Sequence, residues 1–217
     1  MIKKKVTEKI IILEFDNQRE MSLTFLRFQE HYESPEFAGK IFTHDEFKEW
    51  YKKDGNRKFD YHIKWRGFNI PSSILDNFYK GKFNPLTKYE KKLLSLLEEH
   101  KGNYYIIAHL STPSKKSHIL NHELAHGLFY TNKEYKKEIT KELNKHDMKE
   151  LKEKLISSGH YHKNVLDDEL QAYSISLSHT LGVLTPKNTR KELKKIFHKY
   201  LKEMNLPTLT HTKHLSS

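Results

Sequence analysis

A chain of 217 residues can bury roughly 70% of its unfolded surface, so it needs no covalent staples. It has no cysteine, which excludes disulfides and thiolate metal sites and leaves His, Asp and Glu as ligands for any ion. The formal charge of +11 favours acidic partners: an acidic peptide segment, a nucleic acid or an anionic membrane surface. No Gly-rich phosphate loop, ribonucleoprotein motif or helix-turn-helix accompanies that charge.

Met1-Ile2-Lys3-Lys4-Lys5 has the charge of a signal-peptide start, but the apolar run Ile10-Ile11-Ile12-Leu13 is short and flanked by Glu8 and Glu14. No segment approaches the ~20 apolar residues of a membrane-spanning helix. The expectation is a soluble cytoplasmic protein, with signal-independent delivery into another cell left open. Residues 9–15 predict a strand and residues 22–31 a helix. Thr43-x-x-Glu46 is a capping box that opens a helix to about Lys53. Asp54-Gly55 predicts a turn into a strand over residues 59–65, with residues 67–72 extended. Thr87-x-x-Glu90 opens a second boxed helix, ending at Gly102.

Residues 104–110 (Tyr-Tyr-Ile-Ile-Ala-His-Leu) are aromatic and β-branched and predict a strand. Ser111-Thr112-Pro113-Ser114 breaks it. Ile119, Leu120, Leu124, Leu128 and Phe129 then recur at helical spacing, predicting a partly buried amphipathic helix whose Gly127 keeps one flank slim. Residues 133–154 alternate lysine and glutamate, which predicts one or two solvated helices with a break near His146-Asp147. Residues 164–173 are poor in lysine and rich in apolar side chains. They predict a buried helix with Asn164 as N-cap and Gly182 as its stop. Thr185-Pro186 opens the last helix, striped by Leu193, Ile196, Phe197, Tyr200 and Leu201. The tail from Pro207 is expected to be disordered.

His122-Glu123-Leu124-Ala125-His126 is the motif that carries chemistry. Two histidines at i and i+4 share one helix face, about 5–6 Å apart at Cβ, so both imidazoles can converge on one ion. Glu123 can then lean toward a water on that ion and act as general base. Chance places such a pentapeptide in a chain of this composition about once in ten, so its context matters. Strand, short turn and metal helix in that order support a site.

These residues, with Asn121 and the run Gly127-Leu128-Phe129-Tyr130, resemble the zincin metallopeptidases over roughly residues 100–182. The resemblance implies a Zn2+ cofactor, peptide-bond hydrolysis of a peptide or protein substrate, and a strand over residues 104–110 forming the cleft rim. Asn132 and Phe129 stand where metzincins have their third histidine and glycine, which excludes that subclass. Gluzincins take a glutamate from a later helix. Glu134, Glu138, Glu142 and His146 lie in the solvated lysine-rich run. Glu169 shares a face with Ala172, Tyr173 and Ser176 on the apolar helix, where a carboxylate needs a partner. The expected ligands are therefore His122, His126 and Glu169. The alternative for Glu169 is a helix-start carboxylate near the positive dipole end. His160 and His162 remain further possible ligands. Tyr161, His162 and Tyr173 are the candidates for stabilising an oxyanion.

The fold class expected is α+β, a helix-rich zincin-like fold with a small twisted sheet packed over the metal helix. Residues 1–100 form an N-terminal lobe that supplies specificity, residues 101–206 a catalytic lobe and residues 207–217 a tail. The two lobes can equally merge into one domain. Two other readings stay open: a catalytically idle zincin fold used as a binding module, and a basic nucleic-acid-associated protein.

Overall fold

The computed structural model describes residues 2–7, 9–53, 58–111, 116–157, 165–176 and 184–205. Among these, β1 (Ile2–Val6), β2 (Ile10–Phe15), β3 (Gly67–Pro71) and β4 (Tyr105–Leu110) form one mixed sheet. The order is β1-β2-β4-β3, with β2 and β4 parallel and both outer pairings antiparallel. Helices α1 (Gln18–Glu33), α2 (His44–Lys53), α3 (Tyr61–Lys64), α4 (Leu75–Tyr79) and α5 (Lys88–Leu97) precede β4. Helices α6 (Lys116–Thr131), α7 (Lys133–Leu143), α8 (Lys149–Ser157), α9 (Leu166–Ser176) and α10 (Lys187–Glu203) follow it. The chain is helix-rich α+β.

Strand periodicity divides the interior into two cores. Ile11, Leu13, Phe15, Phe68, Ile70, Ile106 and Ala108 face one side, where Phe25 and Phe28 of α1 and Leu93 and Leu97 of α5 cover them. Ile10, Ile12, Tyr105 and Ile107 face the other, against Leu120, Leu124 and Leu128 of α6 and Phe197 of α10. A strand covered on both faces reads as a continuous apolar run rather than an alternation, which is why Ile10–Leu13 is apolar at every position. Strands from both sides of residue 100 share this one sheet.

Both capping boxes form. Thr43 Oγ1 accepts from the Glu46 N–H at 3.1 Å while Glu46 Oε2 accepts from the Thr43 N–H at 2.6 Å. At α5 the box glutamate has a second task. Glu90 receives the Thr87 N–H at 2.7 Å and also both Nε and Nη2 of Arg27 at 2.6 Å, in a pair with almost no solvent exposure. The remaining Arg27 donors reach the carbonyls of Phe42, Phe83 and Pro85. One guanidinium thus ties α1, the loops around Phe42 and Phe83, and α5 together.

Several expectations need correcting. Residues 59–65 carry the helix α3 rather than a strand; their aromatics serve packing, with Phe59 and Tyr61 set among Phe47, Tyr51 and Phe68. Residues 2–6 form an edge strand, and Lys4 reaches the Leu96 carbonyl at 3.1 Å. Lysine on an exposed edge discourages further pairing. Strand β4 cannot be a rim, since β2 and β3 flank it on both sides. The edge strand on that side is β3. The Asp54-Gly55 turn, the Asn164 cap, Gly182 and the tail lie outside the described residues.

Removing the carboxylate from Arg27 leaves a buried, unpaired cation. Glu90→Ala should therefore cost about 3–5 kcal/mol, read as a lower urea midpoint with an unchanged m-value. Exposed pairs such as Lys52–Glu49 should cost at most about 1 kcal/mol when broken.

Candidate metal centre

Helix α6 is buried nearly all round because β3 and β4 cover one side and α9 another. Gly127 makes the close approach possible: a Cβ there would lie 3.0 Å from Ile10 Cδ1 and 3.3 Å from Ile107 Cδ1. His122 and His126 share the flank that meets α9. Their Nε2 atoms are 3.2 Å apart. Glu169, on the first turn of α9, brings Oε2 to 3.8 Å from His122 Nε2 and Oε1 to 3.7 Å from His126 Nε2. Tetrahedral ligands about 2.0–2.2 Å from a zinc ion stand roughly 3.3–3.6 Å from one another, so this spacing is close to a ligand set. These three form the group among the described residues whose donor atoms converge in this way.

Glu169 Oε2 is buried and makes no hydrogen bond. Burial pushes the Glu169 carboxyl well up, against the pull of His126. Burial also opposes charge on His126, but Asp168 and Glu169 outweigh it and raise the imidazole to about 10. Two facing imidazole nitrogens beside an orphaned buried carboxylate oxygen are chemically suited to a small cation, and the N,N,O set fits zinc.

Helix α9 also holds the two histidines in place. Asp168 Oδ1 lies 2.9 Å from His126 Nδ1 and fixes which ring nitrogen faces inward. Ser176 Oγ lies 3.4 Å from His122 Nδ1. The Tyr173 ring meets His122 edge-on at 4.7 Å and packs with Leu151, Leu155 and Leu170. Tyr161 and His162, and with them His160, lie outside the described residues. The rejected ligands sit elsewhere: Glu138 binds Lys199 and Tyr200, and Glu142 binds Lys145 and His146.

Glu123 is turned toward β3, where its Oε2 accepts from Asn69 Nδ2 at 2.6 Å. Burial raises Glu123 to about 7, with His126 and Asn69 opposing the rise. From α1, Glu33 comes within electrostatic reach of His126, Glu123 and Asp168, and burial raises it to about 7 as well. Gln29 on the same helix accepts the Asn69 backbone N–H at 3.2 Å and donates to Glu33 at 2.7 Å. The chain carries +11, yet the groups around the histidine pair are acidic.

Asp168, Asn69, Gly67 and Glu33 were not singled out from the sequence, and Ser176 was read only as sharing the Glu169 face. Asp168 had the best prospect, standing beside the candidate ligand, but nothing local separates it from exposed Asp167. Compared with protein-family models, characterised proteins and solved structures, the chain matches none of them.

Purified protein reconstituted with zinc should bind about one ion per chain, measured by competition with a chromogenic chelator. Glu169→Ala should weaken that affinity far more than Glu142→Ala or His146→Ala. Asp168→Ala should weaken it about 10–100-fold through the freed imidazole. Equal affinities across these four variants would remove Glu169 from the ligand set.

Proposed function

We propose that this chain is a zinc-dependent peptidase of the gluzincin kind, with a zincin-like fold. The reading is carried by one observation: two imidazole nitrogens and an orphaned buried Glu169 oxygen converge at ligand spacing. His122, His126 and Glu169 would hold the ion. Zinc bound there would supply Lewis acidity toward an attacking water and a peptide carbonyl. Glu123 takes the water's proton at a carboxylate oxygen and returns it to the leaving amine. Tyr173, already against His122, and Tyr161 or His162, earlier in the sequence, are the candidates for holding the carbonyl oxygen.

The cleft edge in this reading is β3, and its supporting feature is the outward-facing Asn69 amide. That N–H already serves Gln29, so a peptide lying along β3 must displace Gln29 or stop short of it. Such an edge suits few substrates rather than general digestion. The lysine-rich exterior draws acidic partners from a distance, while Glu33 and Asp168 disfavour an acidic residue beside the scissile bond. The residues before β4 shape this selectivity through α1 and β3. The closed β3 edge also favours a second reading, a zinc-stabilised binding module without catalysis. Among the described residues no helix is long and apolar enough to cross a membrane.

Glu123→Gln separates the two. It should retain one zinc and an unchanged melting temperature, yet lose at least about 10²–10⁴ in turnover. Mapping new chain termini in cells that express either form is the measurement. Identical termini with zinc retained in both would decide for the binding module.

Salt tests the steering. Binding or cleavage of an acidic substrate should weaken as ionic strength rises from about 0.05 to 0.5 M, because exposed charges are screened beyond about 8–10 Å near physiological salt. A flat response would leave the lysines to solubility alone.

A further inference from the structure

Strand β3 addresses both oxygens of Glu123. Oε2 accepts from Asn69 Nδ2 at 2.6 Å. Oε1 lies over Gly67, where an added Cβ would collide with it and come within 2.9 Å of Ile119 Cγ2. Residues 67 and 69 point to the same sheet face, the one packed on α6, because side chains alternate along a strand. Phe68 and Ile70 go to the opposite core.

Asn69 is itself held at three points. Its Oδ1 accepts from the hydroxyl of fully buried Tyr105, its Nδ2 donates to Glu123, and its backbone N–H donates to Gln29. The amide polarity is forced. An ionised carboxylate can only accept, so Nδ2 must face Glu123 and Oδ1 must face the tyrosine O–H. A residue of similar shape without that amide would strand both partners in the interior. Among the described residues, the hydrogen bond to Glu123 comes from Asn69 and meets Oε2, so Oε1 is the less engaged oxygen.

We infer that Asn69 and Gly67 are positioning residues for Glu123: Asn69 anchors one carboxylate oxygen, and Gly67 supplies the bare backbone over which the other is directed. This inference rests on the reading of Glu123 as general base. It assigns to β3 a role in setting the base, in addition to forming the cleft edge. The hydrogen bonds of the Asn69 side chain go to Glu123 and Tyr105, so the loss of Asn69 or Gly67 should leave the ion in place while misdirecting Glu123.

The experiment compares Asn69→Leu, Asn69→Asp and Gly67→Ala with wild type, all zinc-loaded, measuring zinc affinity, melting temperature, kcat and KM. Asn69→Asp keeps the shape and sets two carboxyls against each other, and Gly67→Ala acts on the opposite oxygen. The question therefore survives if the leucine variant fails to fold. The expected result is zinc affinity and KM within about threefold of wild type and kcat lower by about 10²-fold, the cost typical of a misplacement near 1 Å. A folded, zinc-loaded variant with kcat within threefold of wild type would overturn the inference. So would zinc affinity falling in step with kcat, which marks a structural role. If zinc-loaded wild type cleaves no peptide, the peptidase reading fails on its own, and crystal structures of the variants decide the positioning role. A Glu123 carboxylate displaced by about 1 Å or more supports it, and an unmoved one overturns it.

Discussion

Everything at this site depends on placing several carboxyls in one poorly solvated space. Glu169, Asp168, Glu123 and Glu33 come from three helices and meet around two histidines. Burial works against the negative charge of Glu169, Glu123 and Glu33, and the protein answers with partners where it has them. Asp168 has His126, Glu123 has Asn69 and Glu33 has Gln29. Among the described residues, Glu169 Oε2 is the fully buried oxygen of this group that is left without a hydrogen bond. A divalent ion between the imidazoles would complete the set, and the packing of α9 on α6 would then be stabilised by that ion as well as by Ala172 and Ile175.

The sheet order gives this arrangement its geometry. With β4 inside and β3 at the edge, the α6 face of β3 is directed at Glu123, while α1 crosses to close the edge from the other side. Helix α1 is held there by Arg27 and Glu90 in one core and Phe25 stacked on Phe68. The site is thus framed by elements that belong to both cores, and the N-terminal hundred residues enter its walls directly.

Charge is distributed in opposite senses at two scales. Lys145 after α7, Lys149 on α8 and Lys195 on α10 pair with glutamates three or four positions away, and the many other lysines leave a diffuse positive exterior. The interior around the histidine pair is acidic. The long-range field and the local field are therefore set by different residues, because exposed charges are screened beyond a Debye length while buried ones are screened much less.

The histidine pair, Glu123 and the helix that carries them were legible in the sequence because i,i+4 spacing and a slim Gly127 are local facts. Both capping boxes were legible for the same reason, as was the separation of Glu169 from the lysine-rich glutamates. Local composition also misled. Aromatics over residues 59–65 suggested a strand where they fill a core, and lysines over residues 3–5 concealed an edge strand. Asn69 stands 54 positions from Glu123, and no periodicity links them. Its role exists only because the antiparallel register of β3 and β4 turns residues 67 and 69 toward α6. Likewise, Asp168 differs from Asp167 only through the rotation of α9 against α6. The sequence by itself determined which residues could share a helix face, since that follows from backbone geometry over a few positions. Strand order, the choice of edge and the pairing of each carboxyl were decided by tertiary structure, because they depend on contacts between segments that only the packed core brings together.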